Sequence, residues 1–290
     1  MSCPNILKII IPMWRIQKPE LSEAQNDIED FVKKGIVTGN DEANSLKMLV
    51  EQYDVQQGKV TKEQHNKISS KTAASIHSHY TDTNTGNKLD YIRKDLMKGV
   101  VKCPYCAIGF PDTLDHYMPK SIYKALALCR LNLVPMCWSC NHQKSSWHPY
   151  NEYIHPYYLM DLKEKIFLVA RIQPVDKSLD ITFSFDKKAI GDEELYTQFV
   201  SHWRNMDLDN RLRKSAISFL HNGVLTYLEE VKGLSVSIDI LLLRFGKIYG
   251  LNDWRTAIVR ALSEKLKGKD STAVMAALAS MRPQISDINI

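Results

Sequence analysis

The chain has 290 residues, 44% hydrophobic and 24% charged, the balance of an ordinary soluble globular protein with enough length for one large or two to three small domains. The longest apolar run near the start, "ILKIIIPMW", is broken by Lys8 and Pro12 and is too short to span a bilayer. The start also lacks a basic n-region and a small-residue cleavage site, so no membrane association is expected and the cytoplasm is the expected location. A net charge of +5 permits nucleic acid as a partner without demanding it.

In chain order, residues 20 to 98 read as polar helices. "PELSEAQNDIEDFVKKG" opens on Pro and acidic residues and stops at Gly35, as helix ends prefer. "DEANSLKMLVEQYDV" and "TKEQHNKISSKTAASIHSHY" continue that style, "TDTNTGNK" is a loop, and "LDYIRKDLMKG" is a short amphipathic helix ending at Gly99. Residues 100 to 150 are rich in cysteine and histidine and show little periodicity. Two strands follow, "KIFLVARIQP" and "LDITFSFD", joined by "VDKS". Helices then run to the end, beginning with "DEELYTQFVSHWRNM", whose Leu195, Phe199 and Trp203 share one face and are expected in the core. The pattern predicts an α+β protein in three regions: helical 1–98, a compact module at 99–155, and a 156–290 region of two strands followed by helices. No internal repeat or low-complexity tract is present.

Four of the six cysteines form two pairs, Cys103-Pro-Tyr-Cys106 and Cys137-Trp-Ser-Cys140. Without a secretory signal, paired CxxC motifs argue for structural zinc (Zn2+) rather than disulfides, because two intervening residues let both sulfurs reach one ion. The gap between the pairs exceeds that of a simple zinc ribbon, and the insertion contains Asp115, His116 and Asn132. Cys3 and Cys129 lack partners, and Cys129, in "YKALALCRLN", is expected to pack as a small hydrophobe. Between Lys98 and His148 stand six cations and two anions, so +4 of the net charge lies in this window.

The phrases "LDHYMPKS", "LNLVPMC" and "CNHQKSS" resemble, in residue type, order and spacing, an HNH endonuclease module, the ββα-metal fold on a zinc frame. The likeness covers about 48 residues, roughly 100 to 148. Together with "CPYC" and the following "IHPYY", the longer form also resembles stand-alone nucleases that accompany ATPases in bacterial anti-phage systems of the Septu type. The resemblance implies metal-dependent hydrolysis of DNA phosphodiesters, and an ATPase subunit as a partner.

Histidine is the side chain suited to take a proton from water near neutral pH, which makes His116 the candidate general base. A hard ion such as Mg2+ or Mn2+ prefers oxygen, and Asp115 and Asn141 supply a carboxylate and an amide oxygen. By resemblance, Asn132 hydrogen-bonds across the loop after His116 and holds the imidazole in its working orientation. The third motif position can be His, but the first residue after the last cysteine favours Asn141, leaving His142 as a helix-surface residue or phosphate contact. A further helix histidine serves as a ligand in some family members, whereas His148 here falls beyond the expected helix end. Lys120 and Lys144, with Lys124 and Arg130 as further candidates, are placed to neutralise phosphates. His155 lies outside the module and is expected to be structural.

Each residue also has a plainer role: Asp115 as a turn or cap residue, His116 as a satisfied buried histidine, Asn141 as a helix cap, Asn132 as turn chemistry. The competing function is a non-catalytic zinc module that binds nucleic acid or protein, which has no need of an Asp-His pair between its knuckles. RNA cleavage and single-strand nicking remain open for the same site. Adjacent strand residues point to opposite faces, so Asp115 and His116 are expected at the end of a strand, with Pro119 fixing the exit. They then divide the work, Asp115 towards metal and His116 towards water.

Overall fold

The computed structural model describes residues 13–144, 149–159, 162, 165–176, 178–220, 224 and 234–280. The chain forms two compact units, one of residues 14–160 and one that includes residues 161–290.

The first unit opens with two helices, α1 (Leu21–Lys33) and α2 (Asn40–Val55). In α1 the backbone N–H of Glu20 donates to Glu23, and Ala24, Asp27, Ile28 and Phe31 recur at helical spacing along its buried face. Ala43, Leu46, Leu49, Val50 and Tyr53 form the matching face of α2. The segment "TKEQHNKISSKTAASIHSHY", expected as one helical stretch, is divided into α3 (Lys62–His65) and α4 (Ser70–Ser78). Thr61 caps the first helix, accepting from Gln64 N, and Ser69 starts the second by accepting from Thr72 N. A 3-10 turn at His79–Thr83 takes up the start of the expected loop before α5 (Asp90–Met97).

Two short antiparallel strands follow, β1 (Thr113–His116) and β2 (Leu133–Met136), with His116 opposite Leu133 and Thr113 opposite Met136. Helix α6 (Trp138–Gln143) completes a ββα unit. It starts before Cys140 rather than after it, because the Asp112 carboxylate, just before β1, accepts from Trp138 N at 2.7 Å and caps the helix.

The boundary drawn at residue 98 separates segments that share one core. Arg130, expected near phosphate, is instead 4% exposed and ion-paired with Asp27 of α1 at 2.5 and 2.9 Å, with Asp95 of α5 at 3.3 Å. Both charged partners come from the helices packed over it. Tyr80 donates to Leu114 O at 2.6 Å, and His65 accepts from Ala125 N at 3.1 Å. Cys129 is buried, as expected of a small hydrophobe, and burial pushes its thiol up to about 12.

In the second unit the two expected strands pair as a hairpin, β3 (Leu168–Val175) and β4 (Ser178–Phe185). A short α7 (Lys187–Ile190) leads to α8 (Glu193–Asn205), capped by Asp192, which accepts from Leu195 N at 2.7 Å. Phe199 and Trp203 are buried against Phe167, Phe183 and Phe185, the core role expected of that stripe, while Leu195 at its start is only half-buried. Helices α9 (Leu208–Phe219), α10 (Leu234–Tyr249), α11 (Trp254–Lys267) and α12 (Ser271–Ser280) follow. Among the described residues, no helix is long and apolar enough to cross a membrane. Cys3 and most of the "ILKIIIPMW" run lie outside the described residues, as does His148.

Candidate nuclease site

The two cysteine pairs converge. The sulfurs of Cys103, Cys106, Cys137 and Cys140 all lie within 4.8 Å of one another, with Cys106 and Cys137 3.8 Å apart. A tetrahedral zinc with Zn–S bonds near 2.3 Å requires sulfurs about 3.8 Å apart, so the four buried thiols fit that ion. The first knuckle turns at Ala107, and Ile108 N donates to Cys106 Sγ at 3.4 Å. Gly109 is required by proximity: a Cβ there would stand 2.8 Å from Cys137 Cβ. Crowding splits the thiols' proton affinities. Hydrogen bonds from Cys103 and its neighbours hold Cys106 far below the ordinary thiol value and Cys137 at about 7, while burial pushes Cys103 up.

Strand alternation sorts the chemistry on β1. Leu114 and His116 turn inward and are buried, while Thr113 and Asp115 are partly exposed on the other face. Helix α6 lies over that second face, where Asn141 Nδ2 donates to Thr113 Oγ1 at 3.1 Å. Lys144 Nζ donates to Asp115 Oδ2 and to His116 O, both at 2.6 Å. Lys144 is therefore an ion-pair partner of the candidate ligand, with only 9% of its side chain exposed.

His116 is 5% exposed, and its Nε2 lies 2.9 Å from Ala127 O. A carbonyl only accepts, so Nε2 carries the proton and the lone pair is on Nδ1. Burial pushes the imidazole down to about 4, against the opposing pull of the Asp115 carboxylate, so the ring is neutral near pH 7. Its ring lies 4.5 Å from that of Tyr80, over which Lys120 Nζ sits at 3.8 Å. Burial lowers the Lys120 ammonium's proton affinity.

Asn132 is fully buried immediately before β2. Its Oδ1 accepts from Met118 N at 2.7 Å, and its Nδ2 donates to Met118 O at 3.1 Å and Leu126 O at 3.2 Å, spanning the loop after His116. His142 is exposed on α6 and stacks at 4.9 Å on Trp138, which is 61% exposed. Tyr53 and Tyr80, which also touch these groups, carry no local signal: each reaches the site through the fold rather than through a motif, whereas Thr113 stands two residues before Asp115 on the same strand.

Residues 103–146 match the family model for HNH endonuclease, and this segment, with its cysteine cluster beside a ββα unit, is an HNH domain. A nuclease domain of this kind implies a nucleic-acid substrate and a divalent metal. No curated protein and no solved structure matches the chain.

Proposed function

We propose that the HNH domain hydrolyses DNA phosphodiester bonds, with His116 as general base and a single Mg2+ or Mn2+ held by Asp115 and Asn141. The observation that carries this is the state of His116: a neutral ring at the end of β1, its Nε2–H committed to Ala127 O, leaving Nδ1 as the atom to take a proton from water. The donor set fits a hard cation. Asp115 spends Oδ2 on Lys144, which leaves Oδ1, and Asn141 spends its amide nitrogen on Thr113, which leaves its oxygen. Bound there, the ion would supply Lewis acidity at the phosphate and relieve charge on the departing 3′ oxygen.

Asn132 keeps the loop after His116 in place, and zinc bound by the four cysteines ties the loop before β1 to the start of α6. Lys144 has one ammonium proton beyond its two internal bonds, and Lys120 and His142 complete the groups offered to the backbone phosphates. The Septu-type resemblance extends the proposal to anti-phage defence with an ATPase partner, which copurification of the full chain with an ATPase encoded beside it would test.

The test of the chemistry is plasmid nicking by zinc-loaded protein with Mg2+ or Mn2+. Wild type is expected to convert supercoiled plasmid, and His116→Ala to bind DNA without cutting it. Inert wild type that binds DNA as well as His116→Ala does, both alone and with the ATPase, would favour the non-catalytic zinc module.

A further inference from the structure

We infer that Tyr53 and His155 are positioning residues of the nuclease site, acting through Asn132 to hold His116 in its working orientation; this rests on the nuclease reading above. Neither residue lies within the segment that matches the HNH family, and they come from opposite sides of it in sequence. Tyr53 projects from α2 and is fully buried, and His155 follows the domain and is also buried.

The hydrogen bonds between them run in one determined direction. Tyr157 N donates a long bond to His155 Nδ1 at 3.4 Å, so the ring proton of His155 is on Nε2. That Nε2 lies 3.0 Å from Tyr53 Oη and donates to it. Tyr53 in turn donates to Asn132 Oδ1 at 3.0 Å. Asn132 then uses all four of its hydrogen-bonding positions, accepting from Tyr53 and Met118 N and donating to Met118 O and Leu126 O.

The two ends of this amide bracket the candidate base. Met118 lies two residues after His116, and Leu126 immediately precedes Ala127, whose carbonyl fixes the His116 tautomer. Rotation of the Asn132 amide would therefore move both the strand exit and the carbonyl that orients the ring. The outer end of the chain is equally constrained. The His155 ring packs 4.0 Å from that of Tyr117, and a Cβ on Gly58, at φ +90°, would stand 2.4 Å from His155 Cδ2. A buried, directional chain of this kind specifies one arrangement, because any rearranged member leaves an unpaired polar group in the core.

The experiment compares zinc-loaded full-length wild type with Tyr53→Phe, His155→Phe and His155→Gln. Steady-state plasmid nicking is measured beside 15N-edited NMR of the histidine rings without the catalytic ion. Tyr53→Phe is expected to lower kcat roughly 10- to 100-fold, as loss of a group orienting a catalytic side chain does, with KM within about twofold. In the same variant the His116 ring nitrogens should move from the Nε2–H values towards averaged tautomers. His155→Phe should behave likewise, whereas His155→Gln, which keeps an N–H donor for Tyr53, should recover most of kcat. A folded Tyr53→Phe with unchanged kcat and unchanged His116 resonances would overturn the inference. Where Tyr53→Phe gives no cooperative melt, equal rates and equal His116 resonances in the two His155 variants would overturn it instead. The ring resonances need no cleavage, so a wild type that fails to cut DNA removes the nuclease reading while they still judge the chain of bonds.

Discussion

Replacing Asp27 by Asn tests how firmly the N-terminal helices and the HNH domain are bound into one folding unit. Arg130 sits in the core, its Nε and Nη2 directed at the two Asp27 oxygens at 2.5 and 2.9 Å. Its second partner, Asp95, stands 3.3 Å away with 57% of its side chain exposed. Asn keeps the shape of Asp27 and removes its charge, so the guanidinium is left buried with only a solvent-screened carboxylate nearby. Breaking a buried pair in this way costs about 3–5 kcal/mol, whereas an exposed pair is worth roughly 0.2–1 kcal/mol. Asp27→Asn should therefore shift the unfolding equilibrium by at least about 150-fold, and Asp95→Asn by less than about fivefold. Urea unfolding of the zinc-loaded chain, followed by circular dichroism and tryptophan fluorescence, measures both at unchanged slope. The double variant Asp27→Leu with Arg130→Met should regain most of the loss, because no uncompensated charge remains. Equal costs for Asp27→Asn and Asp95→Asn, or no recovery in the double variant, would refute this account.

Three further outcomes are expected. Gly109→Ala should abolish stoichiometric zinc in metal analysis of the purified chain, because its Cβ would displace Cys137 from the cluster. A Gly109→Ala protein that retains one zinc would show that the second knuckle can retreat. Lys144→Met should reduce the slope of log K for DNA against log salt by about 1, with affinity falling on all sequences alike. His155 has its imidazole held well below the ordinary value, by burial first and then by the Lys144 charge. Its neutral form therefore belongs to the folded state, and the stability it confers is complete above the unfolded value of 6.5 and lost as pH falls below it. Wild type should lose up to about 1.4 kcal/mol per pH unit below that point relative to His155→Gln, measured by urea unfolding across pH. Parallel pH profiles would contradict the assignment.

What the sequence determined by itself is local. The spacing of each CxxC pair shapes its own knuckle, because two residues between cysteines let both sulfurs reach one ion, while the fold brings the two knuckles together. The Asp192 cap of α8 and the existence of the two strands β3 and β4 were equally legible, whereas the Ser69 cap that opens α4 was not. The position of Asp115 and His116 at a strand's end followed from adjacency and Pro119, and strand alternation then separates their faces. Only the tertiary structure decided which charges are buried and against what. Arg130 and Lys144 read alike as cations near a phosphate site, yet one is sealed against α1 and the other is paired with Asp115. Asn132 stands out within its motif, but its hydrogen-bond partner Tyr53 lies 79 residues away. A residue's spacing constrains only its own turn or strand, whereas its burial and its hydrogen-bond partners depend on the surface that folding brings against it.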